Sequence, residues 1–215
     1  MTRSLTCYRN HFDCLGVYIA LTPNMKQKIK REIIEWVVLI SIFGIIYLAG
    51  WHTEIIGRIQ QVVLSTGIIQ PTLIEDEMVA SYEFWLEDFE GNKIPFEDFK
   101  GEVVFINFWA TWCPPCVAEM PDIHNLYQSK KDEVRFVMIS LDRDEQKAKD
   151  FIAKKGFEFP VYYLRSALPK TYDTHSIPTT YVLDSEGVIK VENHGMAKYN
   201  TESFRQLLTT LFEGK

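Results

Sequence analysis

Two cysteines separated by two residues, Cys113 and Cys116, are the side chains of this chain best equipped for chemistry. Such a pair can cycle between dithiol and disulfide, or it can hold a metal. A structural zinc site wants four ligands, and no second pair is present. Cys7 and Cys14 stand seven apart near the start, without metal-ligand spacing. His124, His175 and His194 share no spacing with the dithiol. Redox chemistry is therefore the leading reading, with the disulfide between Cys113 and Cys116 as the redox centre and no further cofactor.

The chemistry follows from position. Phe105-Ile106-Asn107-Phe108-Trp109 is short, aromatic and β-branched, so it reads as a buried strand leading into the dithiol. Residues 117–127 can continue as a helix. Cys113 then sits at a helix N-terminus, where unpaired N–H groups and the helix dipole favour a thiolate. That thiolate attacks a substrate disulfide, and Cys116 resolves the mixed disulfide from one turn further in. Pro114 and Pro115 lack N–H groups, which removes two donors to the Cys113 sulfur. No histidine lies between the cysteines to add positive charge. Both features predict a reducing pair, nearer about −270 mV than about −120 mV on the scale of known dithiol proteins.

The surrounding elements have to present that pair. Residues 82–89 partly alternate and meet a Glu90-Gly91-Asn92-Lys93 turn signal, which predicts a β-hairpin. Residues 96–101 form a short turn, and 103–109 is the strand before the dithiol. Residues 134–141 predict a second apolar strand, 144–155 a helix closed by Gly156, and 159–163 a short extended piece. A small helix is expected near 166–173. A strand follows over 176–184, then a turn at 184–187, a returning strand over 188–193 and an amphipathic helix over 201–212. Strands alternating with helices and closed by a hairpin and helix make an α/β domain, a mixed sheet covered by helices.

The N-terminal part reads differently. Lys26, Lys28, Lys30 and Arg31 precede a 19-residue apolar run, 33–51, broken by one charge, Glu35. At 1.5 Å per residue such a helix covers about 28 Å, close to the hydrocarbon thickness of a bilayer. Only Arg58 appears between the run and Lys93, so the positive-inside rule places the N-terminus in the cytoplasm and the C-terminal part outside. Leu48-Ala49-Gly50 is a poor signal-peptidase site, which favours an uncleaved anchor. Met25 is the expected biological start. The predicted organisation is a cytoplasmic segment 1–32, a transmembrane anchor 33–51, an amphipathic juxtamembrane stalk 52–75 with a linker at 75–77, and a globular domain 76–215.

Bulk properties fit this division. The 215 residues are 47% hydrophobic and 24% charged, with net charge −6. That composition is globular, and it carries no basic patch for nucleic acid. The domain 76–215 holds 16 Lys or Arg against 24 Asp or Glu, which disfavours anionic partners.

The stretch from Asn107 to Cys116, with Glu119-Met120-Pro121 behind it and Ile177-Pro178-Thr179 further on, resembles the TlpA/ResA family of membrane-anchored, thioredoxin-like thiol–disulfide oxidoreductases. The resemblance covers 76–215. It implies a thioredoxin fold with an N-terminal β-hairpin extension and one transmembrane helix. It further implies a place on the outer side of a bacterial inner membrane, a disulfide-bearing protein substrate and a membrane electron donor. A role in reducing apocytochrome c thiols is common in the family. Carried over by position, Cys113 is the nucleophile and Cys116 the resolving thiol. Pro178, as the family's cis-proline, faces the dithiol and presents the Ile177 backbone to substrate. Trp112, Pro114 and Pro115 line the substrate side, and Trp109 packs in the core. Glu119 matches an acidic residue near the dithiol that can relay a proton. Asn107 stands where thioredoxin has a buried aspartate, which leaves Glu119 as the proton acceptor.

Other functions are weighed on the same residues. An oxidant or isomerase would use them at a different potential. A peroxidase needs a Pro-x-x-x-Thr/Ser-x-x-Cys context that does not precede Cys113. A copper chaperone of related fold would carry a three-residue gap and a partnering histidine.

Overall fold

The computed structural model describes residues 23–48, 59, 60, 62, 64, 71 and 73–214. Cys7, Cys14 and most of the expected stalk lie outside the described residues, as does the end of the expected anchor at 49–51. The chain divides into two units, Met1–Ala49 and Gly50–Lys215.

The first unit holds helix α1, Pro23–Leu48. Its apolar part starts at Ile33 and reaches the end of the helix, about 24 Å at 1.5 Å per residue. Arg31 pairs with Glu35 one turn on, at 3.1 Å. Among the described residues no helix is long and apolar enough to cross a membrane. Arg31 and Glu32 stand directly before that apolar part, and Glu35 lies within it.

The second unit is built on an eight-stranded mixed sheet in the order β1-β8-β7-β4-β5-β6-β2-β3. The strands are β1 Leu73–Val79, β2 Trp85–Asp88, β3 Lys93–Pro95, β4 Val104–Trp109, β5 Arg135–Ser140, β6 Val161–Leu164, β7 Thr179–Leu183 and β8 Val188–His194. Its helices are α2 Pro114–Lys130, α3 Glu145–Lys155 and α4 Glu202–Glu213. β4 lies in the middle, parallel to β5 and antiparallel to β7, and all six of its residues are buried. That explains why its pattern is apolar throughout except at Asn107: a strand covered on both faces has no polar side to show.

Successive β4 side chains feed opposite faces of the sheet. Phe105 and Trp109 join Met120, Ile123 and Leu126 of α2 and Leu208 of α4 in one core. Val104, Ile106 and Phe108 join Leu86, Phe96 and Tyr181 in the other. Asp144 caps α3 by accepting the Gln146 N–H, and Gly156 ends it in the left-handed conformation. Lys154 and Lys155 stand in its last turn, where the helix dipole favours cations.

The expected hairpin is present as β2 and β3, and it extends the sheet beyond β6. Three expectations are corrected. Residues 75–77 are not linker; they lie in β1, whose backbone pairs with β8 at the far edge. Residues 166–173 form turns, not a helix, with the Tyr172 N–H donating to the Pro169 carbonyl. The strand expected from 176 begins only at Thr179, because 176–178 form a bend around the Ile177–Pro178 bond. Residues 96–99 wind one turn of 3-10 helix that buries Phe96 and Phe99.

Candidate active site

β4 ends at Trp109, and the chain turns through Ala110, Thr111 and Trp112 into the dithiol. The Cys113 N–H donates to the Ala110 carbonyl at 3.2 Å. The turn is held from outside as well. Asp142, just past β5, accepts the Thr111 N–H at 2.9 Å and the Thr111 hydroxyl at 2.6 Å. Ser140 steadies the same carboxylate at 3.0 Å.

Cys113 caps α2, with Pro114 and Pro115 at its first helical positions. The missing N–H groups of these prolines would have no intrahelical partner there, so the helix tolerates both. Cys113 and Cys116 form a disulfide with 5.3 Å between Cα atoms. The Cys116 N–H donates to Cys113 Sγ at 3.3 Å. Cys113 is 4% exposed and Cys116 is fully buried, so the two sulfurs are not equally accessible. Cys113 is the cysteine of the pair that retains some exposure.

The Ile177–Pro178 bond is cis. Its bend brings the Ile177 carbonyl to 3.6 Å from Cys113 Sγ. The Gly195 N–H fixes the Pro178 carbonyl at 2.8 Å, and Thr179 donates to the Ser176 carbonyl at 2.6 Å. Trp112 is 59% exposed beside this pairing, whereas Trp109 is buried in the core. Cys113 and Ile177 thus meet, with exposed Trp112 preceding the one in sequence and Pro178 following the other.

Glu119 does not reach the surface. It is fully buried, one turn along α2 from Cys116. Its Oε1 accepts from Asn107 Nδ2 at 2.9 Å, and its Oε2 accepts the Ala197 N–H at 3.2 Å. Burial pushes its carboxyl up to about 8, and the charge of Asp122 adds to this, while the two donors pull it back. A carboxyl of that affinity can hold or release a proton near neutral pH. Asp122, three residues on, accepts the N–H groups of Tyr199 and Asn200 at 2.7 and 2.8 Å. Two carboxylates of one helix therefore anchor the loop ahead of α4.

Of the expected site residues, the structure brings Cys113, Cys116 and Ile177 together and places Glu119 in the core behind them. Sequence reasoning missed Asp142, Thr180, Ala197 and Tyr199. Asp142 carried one usable signal, an acidic residue directly after an apolar strand beside the dithiol strand. Ala197 contributes through its backbone, which leaves no mark in residue type. Among the described residues no group of three or more His, Cys, Asp or Glu is arranged to hold a metal.

A solvent-reachable and a buried sulfur, joined at the start of a helix and faced by a cis-proline bend on a mixed sheet, define a thiol–disulfide oxidoreductase of the thioredoxin fold. The chain belongs to the redoxin family, whose model matches residues 79–208. It is 35% identical over 129 residues to the thiol-disulfide oxidoreductase ResA of Bacillus thuringiensis subsp. konkukian, covering 59% of this chain and 75% of that protein. It is 34% identical over 128 residues to ResA of Bacillus subtilis, covering 58% and 72%. The thioredoxin-like protein YneN of Bacillus subtilis matches a longer stretch, 29% identical over 159 residues, or 73% and 87% of the two chains. Among solved structures, a thiol:disulfide interchange protein from Bacteroides sp. shares the fold with a TM-score of 0.52 at 23% identity, covering 65% of this chain and 90% of that one.

Proposed function

We propose that this protein is a membrane-anchored reductant of protein disulfides on the outer side of a bacterial inner membrane, working through Cys113 and Cys116. The observation that carries the reducing direction is the start of α2. Pro114 and Pro115 occupy its first positions, so the Cys116 N–H at 3.3 Å is the backbone donor left to steady the Cys113 sulfur. A thiolate with little stabilisation gives its electrons away readily.

In the forward reaction the Cys113 thiolate attacks one sulfur of the substrate disulfide and expels the other as a thiolate. The Cys116 thiol passes its proton to the Glu119 carboxylate and attacks Cys113 Sγ. The Cys113–Cys116 disulfide forms, and the second substrate sulfur leaves as a thiolate. The substrate gains two electrons and takes up two protons as its thiols form. A membrane-embedded dithiol donor then returns two electrons to the pair. The Ile177 backbone receives the extended substrate segment, with Trp112, Pro114 and Pro115 lining its approach. Cytochrome c maturation, where apoprotein disulfides need reduction, is the pathway class that the resemblance supports.

Anchoring rests on the run 33–51 and its basic flank. Ile33, Trp36, Leu39, Ile40 and Phe43 are exposed on α1, as a lipid-facing helix requires.

The test is capture of substrate. Cys116→Ser, expressed in a bacterial host, is expected to hold mixed disulfides through Cys113 to extracytoplasmic cysteine proteins, and the wild type to reduce insulin with dithiothreitol as donor. Absence of both would overturn the reading.

A further inference from the structure

Asn107 carries a buried, unanswered atom. Its Nδ2 has two N–H groups and uses both, one to Glu119 Oε1 at 2.9 Å and one to Thr180 Oγ1 at 2.9 Å. Its Oδ1 is buried without a hydrogen-bond partner among the described residues. A buried acceptor left unpaired costs about 1–3 kcal/mol, so a site that keeps one calls for a reason. Both groups facing the amide can reverse their roles. A carboxylate accepts only, but a carboxylic acid can donate. A threonine hydroxyl does either.

We propose that Asn107 is a positioning residue whose side-chain amide turns over when Glu119 gains or loses its proton, giving Nδ2 to the carboxylate and Oδ1 to the acid. In the arrangement seen, Nδ2 faces Glu119 Oε1 at 2.9 Å, the pairing a carboxylate would take. Once Glu119 is protonated, its oxygen at Oε1 needs an acceptor, and Nδ2 is not one. A half-turn about the Cβ–Cγ bond exchanges the two amide atoms. Oδ1 then accepts from Glu119 and from the Thr180 hydroxyl, while Nδ2 takes the unpaired position. Thr180 also bonds the buried Tyr199 hydroxyl, so the reversal has a continuation beyond the amide. The proton stays on Glu119 throughout. Asn107 thus offers Glu119 Oε1 a donor for the carboxylate and an acceptor for the acid, which an aspartate at this position, charged beside Glu119, would not do. The titratable groups facing Glu119 are Asp122 on its own helix and Tyr199 from the loop ahead of α4, while the Cys113–Cys116 disulfide does not titrate in the oxidised protein.

This inference rests on the reading of Glu119 as proton acceptor, and its test separates the two. The full chain, oxidised and labelled with 13C and 15N, is followed by NMR from pH 5 to pH 10. The expected result is a nuclear Overhauser contact between the Asn107 Nδ2 protons and Thr180 that is present above the Glu119 carboxyl midpoint and lost below it. Its loss should share that midpoint and vanish in Glu119→Gln. A contact that persists unchanged while the Glu119 carboxyl titrates would overturn the inference, as would a loss that survives in Glu119→Gln. In Asn107→Leu, checked for folding by circular dichroism, the Glu119 midpoint is expected to rise by about one pH unit, because a donor to the charged form is gone. An unchanged midpoint would count against the role. Whether Glu119→Gln alters the Cys116 thiol titration tests the proton-acceptor reading alone.

Discussion

Asp142 holds Thr111 by two points at once, taking its backbone N–H at 2.9 Å on one oxygen and its hydroxyl at 2.6 Å on the other. Thr111 lies two residues before Cys113, so this carboxylate sets the path by which β4 delivers the sulfur. Asp142→Ala leaves the Thr111 N–H without its acceptor in a half-buried turn, at a cost of about 1–3 kcal/mol. Asp142→Asn, which keeps one acceptor oxygen, should fall between. Urea unfolding checks the stability. Insulin reduction by the folded variants should slow, because Cys113 is no longer held against Ile177, and full activity in Asp142→Ala would show that the turn holds itself.

Glu119 should leave a signature in the pH dependence of stability. Its carboxyl is raised from 4.5 to about 8 in the folded protein. Between those values the folded state keeps a proton that the unfolded chain has released. Stability therefore falls as pH rises through this window, by at most about 1.4 kcal/mol per pH unit, and levels off above it. Glu119→Gln should remove this component and become relatively more stable at alkaline pH. Denaturant midpoints of the oxidised protein measured from pH 4 to pH 9 decide the matter, and parallel curves for the two proteins would refute the assignment.

Trp112 offers a clean separation of binding from folding. Its ring is 59% exposed, so truncation to alanine should change stability by no more than about 0.5 kcal/mol. Protein disulfides that lie against the ring should lose affinity. A rise in KM for insulin, with little change for a small disulfide such as oxidised glutathione, is the expected pattern. Equal losses on both substrates would place Trp112 in support of the dithiol itself.

Pro115→His should shift the pair in the oxidising direction. The substitution restores an N–H at the second position of α2 and can add positive charge next to the Cys113 sulfur. Thiolate absorbance near 240 nm, followed with pH, should show the Cys113 thiol titrating lower than in the wild type. No movement would mean that the prolines do not govern the thiolate.

Much of the site was legible in the sequence because its parts are local. Cys113 and Cys116 share one turn, Glu119 lies one turn on, and the proline loop announces itself by residue type. The central strand was equally plain, since a strand buried on both faces reads as an apolar run, interrupted here only by Asn107. β1 was not legible. Glu75-Asp76-Glu77 reads as linker and shows no sign of the pairing to β8 that Leu73, Met78 and Val79 make on either side of it. The turns at 166–173 were mistaken for a helix for the related reason that tertiary contacts, such as the Tyr172 hydroxyl donating to the Ser81 carbonyl, fix them. The shell around Glu119 was hidden because it converges from β4, β7 and the loop ahead of α4, a convergence that spacing along the chain cannot express.

The reducing character of the Cys113–Cys116 pair is the claim on which the proposed function turns, and its reduction potential tests that claim most directly. Equilibration with glutathione or dithiothreitol buffers at pH 7, read by Trp fluorescence or thiol alkylation, should give a value near about −270 mV, that of a thioredoxin-like reductant. A value above about −180 mV, in the range of isomerases and oxidants, would contradict it.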